Sequence, residues 1–283
     1  MTLSEFILTG KEKLAQAKIQ CADPLLHMKQ IAEVALGIDT TQLYLKWEEP
    51  LDSNTAKKLE GFLNRRLLGE PFQYIVGFEW FWKSKFEVGP GVLIPRPETE
   101  QLVEIILTRM SPHRQKIGEL GAGSGNIGIS VLLDNPNFEW HAFESGRDAL
   151  SFLTKNKESL LRQSEKYLIH AGDFFTLSSQ FAPYDWVVAN PPYVATEEFP
   201  SLPSGVKHEP RSALDGGKAG LEVMARLIEK SAEILKKGGY FLTEIGSKQD
   251  GAVKKMLSER SFEEPEIMKD DSKLPRVILA RKR

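Results

Sequence analysis

Residues 190–193, Asn-Pro-Pro-Tyr, are the segment of this chain whose residue types are best suited to chemistry. The two prolines lack a backbone N–H and restrict φ, so they give a stiff segment whose carbonyl groups are free to accept hydrogen bonds. Asn190 adds a side-chain acceptor and donor, and Tyr193 adds an aromatic face and a hydroxyl. Two acceptors of this kind can hold both hydrogens of a planar NH2 group. For the tetrapeptide alone, an ordinary turn is an equal alternative, because Asn-Pro commonly marks a loop.

The elements that must position this segment are short apolar runs that alternate with helical patterns from residue 116 onward. This alternation predicts a parallel, doubly wound α/β sheet with residues 190–193 directly after one of its strands. The predicted strands are residues 117–120, 138–143, 167–170, 186–189, 240–245 and 277–280.

The first part of the chain has a different pattern. Apolar residues at helical spacing predict a small helical domain over residues 1–70, with Asp23 and Asp52 as helix caps. Residues 71–95 carry aromatic and β-branched residues broken by glycines, and they predict a β-hairpin linker with strands in residues 72–77 and 86–94. The α/β domain is therefore expected to cover residues 96–283.

Composition limits the classes of function. The chain has 283 residues, 37 basic and 39 acidic, and a formal charge of -2, which argues weakly against a nucleic-acid binder. The single cysteine, Cys21, has no partner for an internal disulfide. Because no secretory leader or long apolar run is evident, we expect a cytoplasmic protein with no membrane partner. The five histidines show no metal-ligand spacing, so we expect no metal.

A glycine-rich turn at residues 119–128, Glu-Leu-Gly-Ala-Gly-Ser-Gly-Asn-Ile-Gly, follows the first of these strands and leads into a helix. Glycines at this position allow a tight turn and close approach of a ligand to the backbone, as in nucleotide-type cofactor sites. Residues 123–128 also fit the dinucleotide pattern G-x-G-x-x-G, and Glu144 lies about 20 residues further on. A nicotinamide enzyme is therefore one alternative.

Acidic residues near the turn favour a different cofactor. Glu119 would repel a pyrophosphate but suits S-adenosylmethionine, which carries an ammonium and a sulfonium. Glu144 is placed to meet a ribose, although it could be a helix cap. Asp173 and Phe174 offer a carboxylate for the adenine amine and an aromatic face for its ring. The alternatives are that backbone amides satisfy Glu119, and that residues 172–175 form a capped turn with Phe174 and Phe175 in the core.

The order of these features resembles the class I S-adenosylmethionine-dependent methyltransferases that modify planar amino groups. Three further segments resemble the peptide chain release factor glutamine methyltransferases, the PrmC/HemK family, and the resemblance spans nearly the whole chain. These segments are residues 74–77 (Tyr-Ile-Val-Gly), 93–100 (Leu-Ile-Pro-Arg-Pro-Glu-Thr-Glu) and 208–217 (His-Glu-Pro-Arg-Ser-Ala-Leu-Asp-Gly-Gly).

The resemblance implies a Rossmann-like class I methyltransferase with a seven-stranded, mostly parallel sheet, plus a small helical N-terminal domain that docks the release factor. It implies transfer of a methyl group from S-adenosylmethionine to the glutamine of the Gly-Gly-Gln motif in class I release factors, in support of translation termination. The product of the cofactor would be S-adenosylhomocysteine. We expect a monomer that requires no direct contact with nucleic acid.

The resemblance also implies roles for particular residues. This chain has glutamate at positions 119 and 144, where family members often have aspartate, and Phe174 where a tryptophan can occur. Asn190, Pro191, Pro192 and Tyr193 would hold the glutamine side chain. The cofactor residues expected from the resemblance are Gly121, Ala122, Gly123, Ser124, Gly125, Glu144, Phe174 and Asn190, and the residue chemistry above adds Glu119 and Asp173.

The chemistry of an amide explains why such a site needs no strong base. An amide nitrogen is a poor nucleophile, because its lone pair is delocalised into the carbonyl. If the Asn190 side-chain oxygen and the Pro191 carbonyl each accept one hydrogen, they orient the nitrogen and stabilise its developing positive charge. Tyr193 would pack against the amide plane. Asn190, Pro191 and Tyr193 are therefore the predicted catalytic residues.

Three other functions stay open. A nucleic-acid methyltransferase acting on the exocyclic amine of adenine or guanine would use the same four residues on a flipped base, but it needs a basic groove. A non-catalytic adaptor would bind translation factors through its helical domain and keep the cofactor only for stability. The nicotinamide oxidoreductase is the third.

Overall fold

The structure, a computed structural model, describes residues 1–17, 19, 21–111, 113–162 and 164–283. The chain forms two compact units, which we call the helical unit and the sheet unit. The helical unit contains Met1–Phe78 and Leu202–His208, and the sheet unit contains Glu79–Ser201 and Glu209–Arg283.

The described residues of the helical unit form five α-helices, the first four of which begin at a side-chain cap. The Thr2 side chain and Glu5 form a reciprocal capping box at the first helix. The side chain of Asp23 accepts from Leu26 N before the second helix, and that of Asp52 caps the fourth, which confirms both predicted caps. The helices are α1 (Leu3–Gln16), α2 (Pro24–Leu36), α3 (Thr40–Leu45), α4 (Ser53–Leu67) and α5 (Phe72–Val76).

The strand predicted at residues 72–77 is wrong, because this stretch is the short helix α5. Pro71 precedes the helix with φ -53°, and Gly77 ends it in the left-handed conformation at φ 86°. Ile75 packs into the core of the helical unit, so tertiary packing overrides the strand preference of its β-branched side chain. The observed hairpin is shorter than predicted and consists of β1 (Phe78–Phe81) and β2 (Ser84–Glu87).

The sheet unit contains a seven-stranded sheet in the order β5-β4-β3-β6-β7-β9-β8. The first five strands in this order pair in parallel, while β9 is antiparallel to both β7 and β8. This confirms the predicted Rossmann-like class I fold. The strands are β3 (Lys116–Leu120), β4 (Glu139–Glu144), β5 (Tyr167–Ala171), β6 (Tyr184–Ala189), β7 (Leu235–Glu244), β8 (Glu266–Lys269) and β9 (Pro275–Arg281).

Helices cover both faces of this sheet and give it two apolar cores. Successive residues of β6 alternate between these cores, with Val187 in one and Val188 in the other. The helices of the unit are α6 (Glu100–Arg109), α7 (Asn126–Asp134), α8 (Arg147–Asn156), α9 (Phe174–Leu177), α10 (Glu222–Ile234) and α11 (Asp250–Ser258).

The register of β3 and β6 places the two motifs found in the sequence side by side. Leu120, the last residue of β3, is paired with Ala189, the last residue of β6. The chain order reverses between these two strands, which is the point where open α/β sheets bind their ligands. The glycine turn and residues 190–193 therefore leave the sheet at neighbouring positions on the same edge.

Candidate functional site

A cavity of about 250 Å³ lies at this edge of the sheet unit. Its wall combines the glycine turn, the ends of β4 and β6, and residues before α6 and α10. The predicted site residues that line it are Gly121, Ala122, Gly123, Ser124, Glu144, Asp173, Asn190 and Pro192. Those that do not line it are Glu119, Gly125, Phe174, Pro191 and Tyr193.

The glycine turn is held by the strand next to it. Ala122 N donates to Phe143 O at 3.0 Å, and Gly123 N donates to Glu144 Oε2 at 2.8 Å. Gly121 has φ 61°, a region that L side chains rarely adopt, and a Cβ atom there would meet no other atom within 4 Å. The backbone at Gly121 is therefore open to a ligand, as the sequence pattern predicts.

Both carboxylate oxygens of Glu144 accept hydrogen bonds from backbone amides, one of which belongs to the glycine turn. Its Oε2 accepts from Gly123, and its Oε1 accepts from Gly146 N at 2.7 Å, just before α8. The side chain is buried but also lines the cavity. Each oxygen can still accept a second hydrogen bond, so Glu144 can support the turn and bind a ligand hydroxyl at the same time.

Asn156 supports the turn from the other side, and sequence reasoning missed it. Its Nδ2 donates to Ser124 O at 2.9 Å and to Glu87 O at 3.0 Å, while its Oδ1 accepts from Glu87 N. The residue is fully buried. It therefore ties the glycine turn to the end of β2.

Glu119 is not placed for the predicted contact with a cationic cofactor. The residue is 1% exposed, and its Oε2 accepts from Trp140 Nε1 at 2.6 Å. Its Oε1 is buried with no hydrogen-bond partner among the described residues. Burial raises the pKa of the Glu119 carboxyl to about 8, so it is largely neutral at pH 7. The negative charge that was predicted to attract a cationic cofactor is therefore mostly absent from Glu119. The alternative prediction, that backbone amides bind the Glu119 carboxylate, is not observed among the described residues either.

The aromatic wall of the cavity is Phe175 and not the predicted Phe174. Phe174 is 1% exposed and packs edge-on against Phe143 in the core, with 5.3 Å between ring centroids. Phe175 lines the cavity, and the guanidinium of Arg226 lies 4.0 Å from its ring centroid. Asp173 caps α9 by accepting from Phe175 N at 3.2 Å and also lines the cavity. Phe174 and Phe175 are adjacent on helix α9 and therefore point in different directions, Phe174 into the core and Phe175 into the cavity.

Asn190 lines the cavity, and a hydrogen bond from its side-chain NH2 group fixes the orientation of the amide. Its Nδ2 donates to Thr99 Oγ1 at 3.0 Å. Thr99 also lines the cavity and is 1% exposed. Neither Asn190 Oδ1 nor the Pro191 carbonyl receives a hydrogen bond from any described residue. Both predicted acceptors are thus without a hydrogen bond from the described residues, and of the two residues only Asn190 lines the cavity.

Tyr193 is anchored through its hydroxyl, which donates to Glu244 Oε1 at 3.1 Å. Burial raises the pKa of the Tyr193 hydroxyl, and the charge of Glu244 adds to the increase, so the hydroxyl stays protonated. Glu244 ends β7 and also accepts from Thr99 Oγ1, at 2.7 Å. Asn190 and Tyr193 therefore share one hydrogen-bonded network. Contact of Tyr193 and Pro191 with a substrate stays a prediction.

Two segments on which the family resemblance rests meet around the cavity. The buried Glu209 accepts from Ile94 N at 3.1 Å and forms an ion pair with Arg96. Ile94, Arg96 and the neighbouring residues 212 and 213 line the cavity. The function of Glu209 is therefore to join two stretches of chain that are far apart in sequence.

The segment after residue 213 supports residues 190–193 from behind. Val194 N donates to Leu214 O, and Gly216 N donates to Val194 O, both at 2.9 Å. Gln249 Nε2 donates to Tyr193 O at 3.0 Å. The backbone that carries the Asn-Pro-Pro-Tyr sequence is thus fixed by residues from two other parts of the sheet unit.

Three of the important residues that sequence reasoning missed carry a signal that is visible afterwards. Glu244 is a carboxylate within the apolar run 240–245, which is unusual unless it is paired. Thr99 lies within the segment 93–100 that carries the family resemblance, and Phe175 is adjacent to Phe174, the aromatic residue predicted to contact the adenine ring. Asn156 carries no such signal, because an asparagine near the end of a helix is common.

No group of three or more His, Cys, Asp or Glu side chains in the part of the chain that the structure describes is arranged to hold a metal ion. No helix within the described ranges has the length and apolar character needed to cross a membrane.

The sequence of this chain is similar to those of known proteins. The family model for the PrmC N-terminal domain matches residues 5–77, and that for the methyltransferase small domain matches residues 97–202. The release factor glutamine methyltransferase of Caulobacter vibrioides is 34% identical over 282 residues, which cover 99% of this chain and 96% of that protein. The enzyme of the same name from Thermodesulfovibrio yellowstonii is 36% identical over 251 residues, covering 87% and 88%.

A solved structure shares the fold at low identity. It is a 16S rRNA methyltransferase from T. thermophilus in complex with AdoMet and guanosine. The identity is 20% and the TM-score 0.52, and the match covers 73% of this chain and 50% of that one. At this identity the likeness concerns the fold alone.

Proposed function

This chain belongs to the release factor glutamine methyltransferase family, and we propose that it transfers a methyl group from S-adenosylmethionine to a release factor glutamine. The acceptor is the side-chain amide nitrogen of the Gly-Gly-Gln motif in class I peptide chain release factors. The methylated factor then serves in translation termination.

The observation that carries the proposal is the placement and direction of the Asn190 amide. It lies beside the glycine turn, with its NH2 group bonded to Thr99 and its oxygen available as an acceptor. An acceptor next to a methyl donor site is what a substrate NH2 group needs, whereas a hydride-transfer site has no such requirement. This favours methyl transfer to nitrogen over the nicotinamide alternative.

The residues of the cavity fit S-adenosylmethionine by their donor and acceptor chemistry. Glu144 would accept from the ribose hydroxyls, and Asp173 from the exocyclic amine of adenine. Phe175 would pack against the adenine ring in place of the Phe174 expected from the sequence. The open backbone at Gly121 allows close approach of the rest of the cofactor. Glu119 contributes indirectly, from beneath the turn.

Bound S-adenosylmethionine supplies an electrophilic methyl group on a positively charged sulfur. Asn190 Oδ1 and the Pro191 carbonyl would each accept one hydrogen of the glutamine NH2 group and so orient its nitrogen toward that methyl group. The same two dipoles stabilise the positive charge that develops on the nitrogen. The methylated, protonated amide is strongly acidic and loses its proton to water, so no side chain is needed as a base.

The helical unit provides a surface for the protein substrate in this proposal. The matching PrmC N-terminal family model covers nearly all of its continuous part, residues 5–77 of Met1–Phe78. We assign it the docking of the release factor and assign the chemistry to the sheet unit.

The experiment that tests the proposal follows a labelled methyl group from S-adenosylmethionine into candidate acceptors. The acceptors are a purified class I release factor, its Gln-to-Ala variant at the Gly-Gly-Gln motif, and ribosomal RNA. We expect label in the unsubstituted release factor only. Label in both forms of the factor would contradict the assigned glutamine, and label in the RNA instead would favour the nucleic-acid alternative.

A further inference from the structure

Glu244 lies behind the site, with almost no exposure to solvent. It ends β7, is 1% exposed, and does not line the cavity. Both of its oxygens are occupied by hydroxyl donors, Oε1 by Tyr193 at 3.1 Å and Oε2 by Thr99 at 2.7 Å. Burial raises the pKa of the Glu244 carboxyl above its ordinary value, and the hydrogen bond from Thr99 and the charge of Arg276 offset only part of that increase.

Each Glu244 oxygen accepts a hydroxyl hydrogen, one from Tyr193 and one from Thr99, and this fixes the direction of the whole network. Thr99 has one hydroxyl hydrogen, which it donates to Glu244. Toward Asn190, the Thr99 oxygen is therefore limited to accepting, and it accepts from Nδ2 at 3.0 Å. A rotated Asn190 amide would place its oxygen against the Thr99 oxygen with no hydrogen between them. That arrangement costs the bond and leaves two buried acceptors facing each other.

We propose that Glu244 is a positioning residue that, through Thr99, sets the Asn190 amide with its oxygen directed to the substrate. The inference rests on the proposed function, because it concerns the acceptor that holds the substrate NH2 group. Glu244 also anchors Tyr193, so one buried carboxylate orders both polar side chains of residues 190–193.

Substitution of Thr99 tests the connection between Glu244 and Asn190 directly. Thr99→Val keeps the shape of the side chain but removes the hydroxyl, so the Asn190 amide loses the partner that selects its direction. Thr99→Ser keeps the hydroxyl. For Thr99→Val we expect kcat to fall about 10- to 100-fold, while KM for the release factor and the Kd of S-adenosylhomocysteine change less than about threefold. Thr99→Ser should retain kcat within about threefold.

A matched control is available one residue before Glu244. Thr243 is fully buried, and its hydroxyl donates only to the Glu244 backbone carbonyl, at 3.1 Å. Thr243→Val therefore removes a buried hydroxyl from the same strand while both hydrogen bonds of the Glu244 side chain stay in place, and its kcat should stay within about threefold of the wild type.

A double-mutant cycle separates positioning from general damage to the fold. Glu244→Gln should lower kcat on its own, because one of the two hydroxyls then faces an NH2 donor. If Glu244 acts through Thr99, adding Glu244→Gln to Thr99→Val should reduce kcat by much less than it does in the wild type. If Thr99→Val fails to fold, Glu244→Gln and Thr99→Ser decide the matter. The inference is then supported when kcat falls about tenfold or more in Glu244→Gln and stays within about threefold in Thr99→Ser.

The outcomes distinguish this inference from the proposed function. An active wild type with Thr99→Val and Glu244→Gln both as active as Thr243→Val would overturn the positioning role alone. Full additivity of the two substitutions in kcat would overturn the connection through Thr99. A wild type that binds S-adenosylhomocysteine but methylates no release factor would overturn the proposed function, and the inference with it.

Discussion

Glu119 and Glu144 show at the scale of single residues how burial decides what a carboxylate can do. Glu144 accepts from two backbone amides and still lines the cavity, so it can support the glycine turn and meet a ligand. Glu119 has one hydrogen-bond partner among the described residues, Trp140, and burial raises its pKa to about 8. It functions as a buried, mostly neutral group beneath the turn. Its hydrogen bond to Trp140 fixes the strand end from which the turn starts.

Glu119 should therefore lower the stability of the fold as pH rises. In the unfolded chain it ionises near pH 4.5, but in the folded protein it keeps its proton until about pH 8. Between these values the unfolded state alone gains by releasing the proton, so wild-type stability falls by up to roughly 1.4 kcal/mol per pH unit from this group. Glu119→Gln removes this penalty. We expect the unfolding free energy of the variant, relative to wild type, to increase from about pH 5 to about pH 8.

Urea unfolding of both proteins across this pH range measures that difference directly, because all other titrating groups are shared. Above about pH 8 the difference should become constant, since the folded state then ionises too. A difference that is the same at every pH would show that Glu119 titrates normally in the folded protein.

At the scale of the elements, the sequence predicted six of the seven strands but missed the edge strand β8, and it predicted the wrong structure for residues 72–77. Six apolar runs matched β3, β4, β5, β6, β7 and β9. The first five are parallel strands covered on both faces, which are continuously apolar, and the antiparallel β9 carries a buried apolar run of its own. The seventh strand, β8, was missed because two of its four residues are exposed and charged, at Glu266 and Lys269. Helix α5 was predicted to be a strand because β-branched residues favour strands. In the structure the packing of Ile75 into the core of the helical unit outweighs this preference.

The parts of the cavity wall that the sequence predicted are those where the residue type itself carries a requirement of conformation or chemistry. The glycine turn and Asn190 were found from the sequence, because their residue types are required by their own conformation and chemistry. The sequence could not show that Phe175 lines the cavity in place of Phe174, because this depends on which side of a one-turn helix faces the core. Thr99 and Glu244 lie 145 positions apart, and only the tertiary fold brings them to Asn190.

Gly216 makes an element-scale prediction about the support behind residues 190–193. A Cβ atom at this position would lie 2.7 Å from both Pro192 O and Gly220 O, which are backbone atoms that cannot rotate away. Gly216→Ala should therefore displace the backbone of residues 190–193 and lower the unfolding free energy by about 1–3 kcal/mol. It should also reduce kcat, because the acceptors move with that backbone.

Gly251→Ala is the matched control, since a Cβ atom there meets nothing within 4 Å and the residue lies in α11. Its unfolding free energy should stay equal or increase by up to about 1 kcal/mol, as alanine is favoured in a helix. Chemical denaturation and steady-state kinetics of the two variants provide the comparison. Equal effects at both positions would show that Gly216 supports nothing in particular.

At the scale of the whole molecule, each unit has its own apolar core and its own task in our account. The core of the helical unit contains Phe6 and Leu59, while the two cores of the sheet unit lie on opposite faces of the sheet that carries the site. Residues 93–100 and 208–217 resemble the family, but the sequence gives no physical reason why these two segments belong together. The structure supplies one, because the ion pair of Arg96 and Glu209 joins positions 113 residues apart.

The central claim is that the Asn190 side-chain oxygen holds the reacting nitrogen, and Asn190→Ala tests it most directly. The measurement compares the single-turnover rate of methyl transfer to release factor with the Kd of S-adenosylhomocysteine, and uses the exposed Asn137→Ala as a control. We expect the rate for Asn190→Ala to fall about 100- to 1000-fold and the Kd to change less than about threefold. Equal losses in rate and cofactor affinity would contradict the claim.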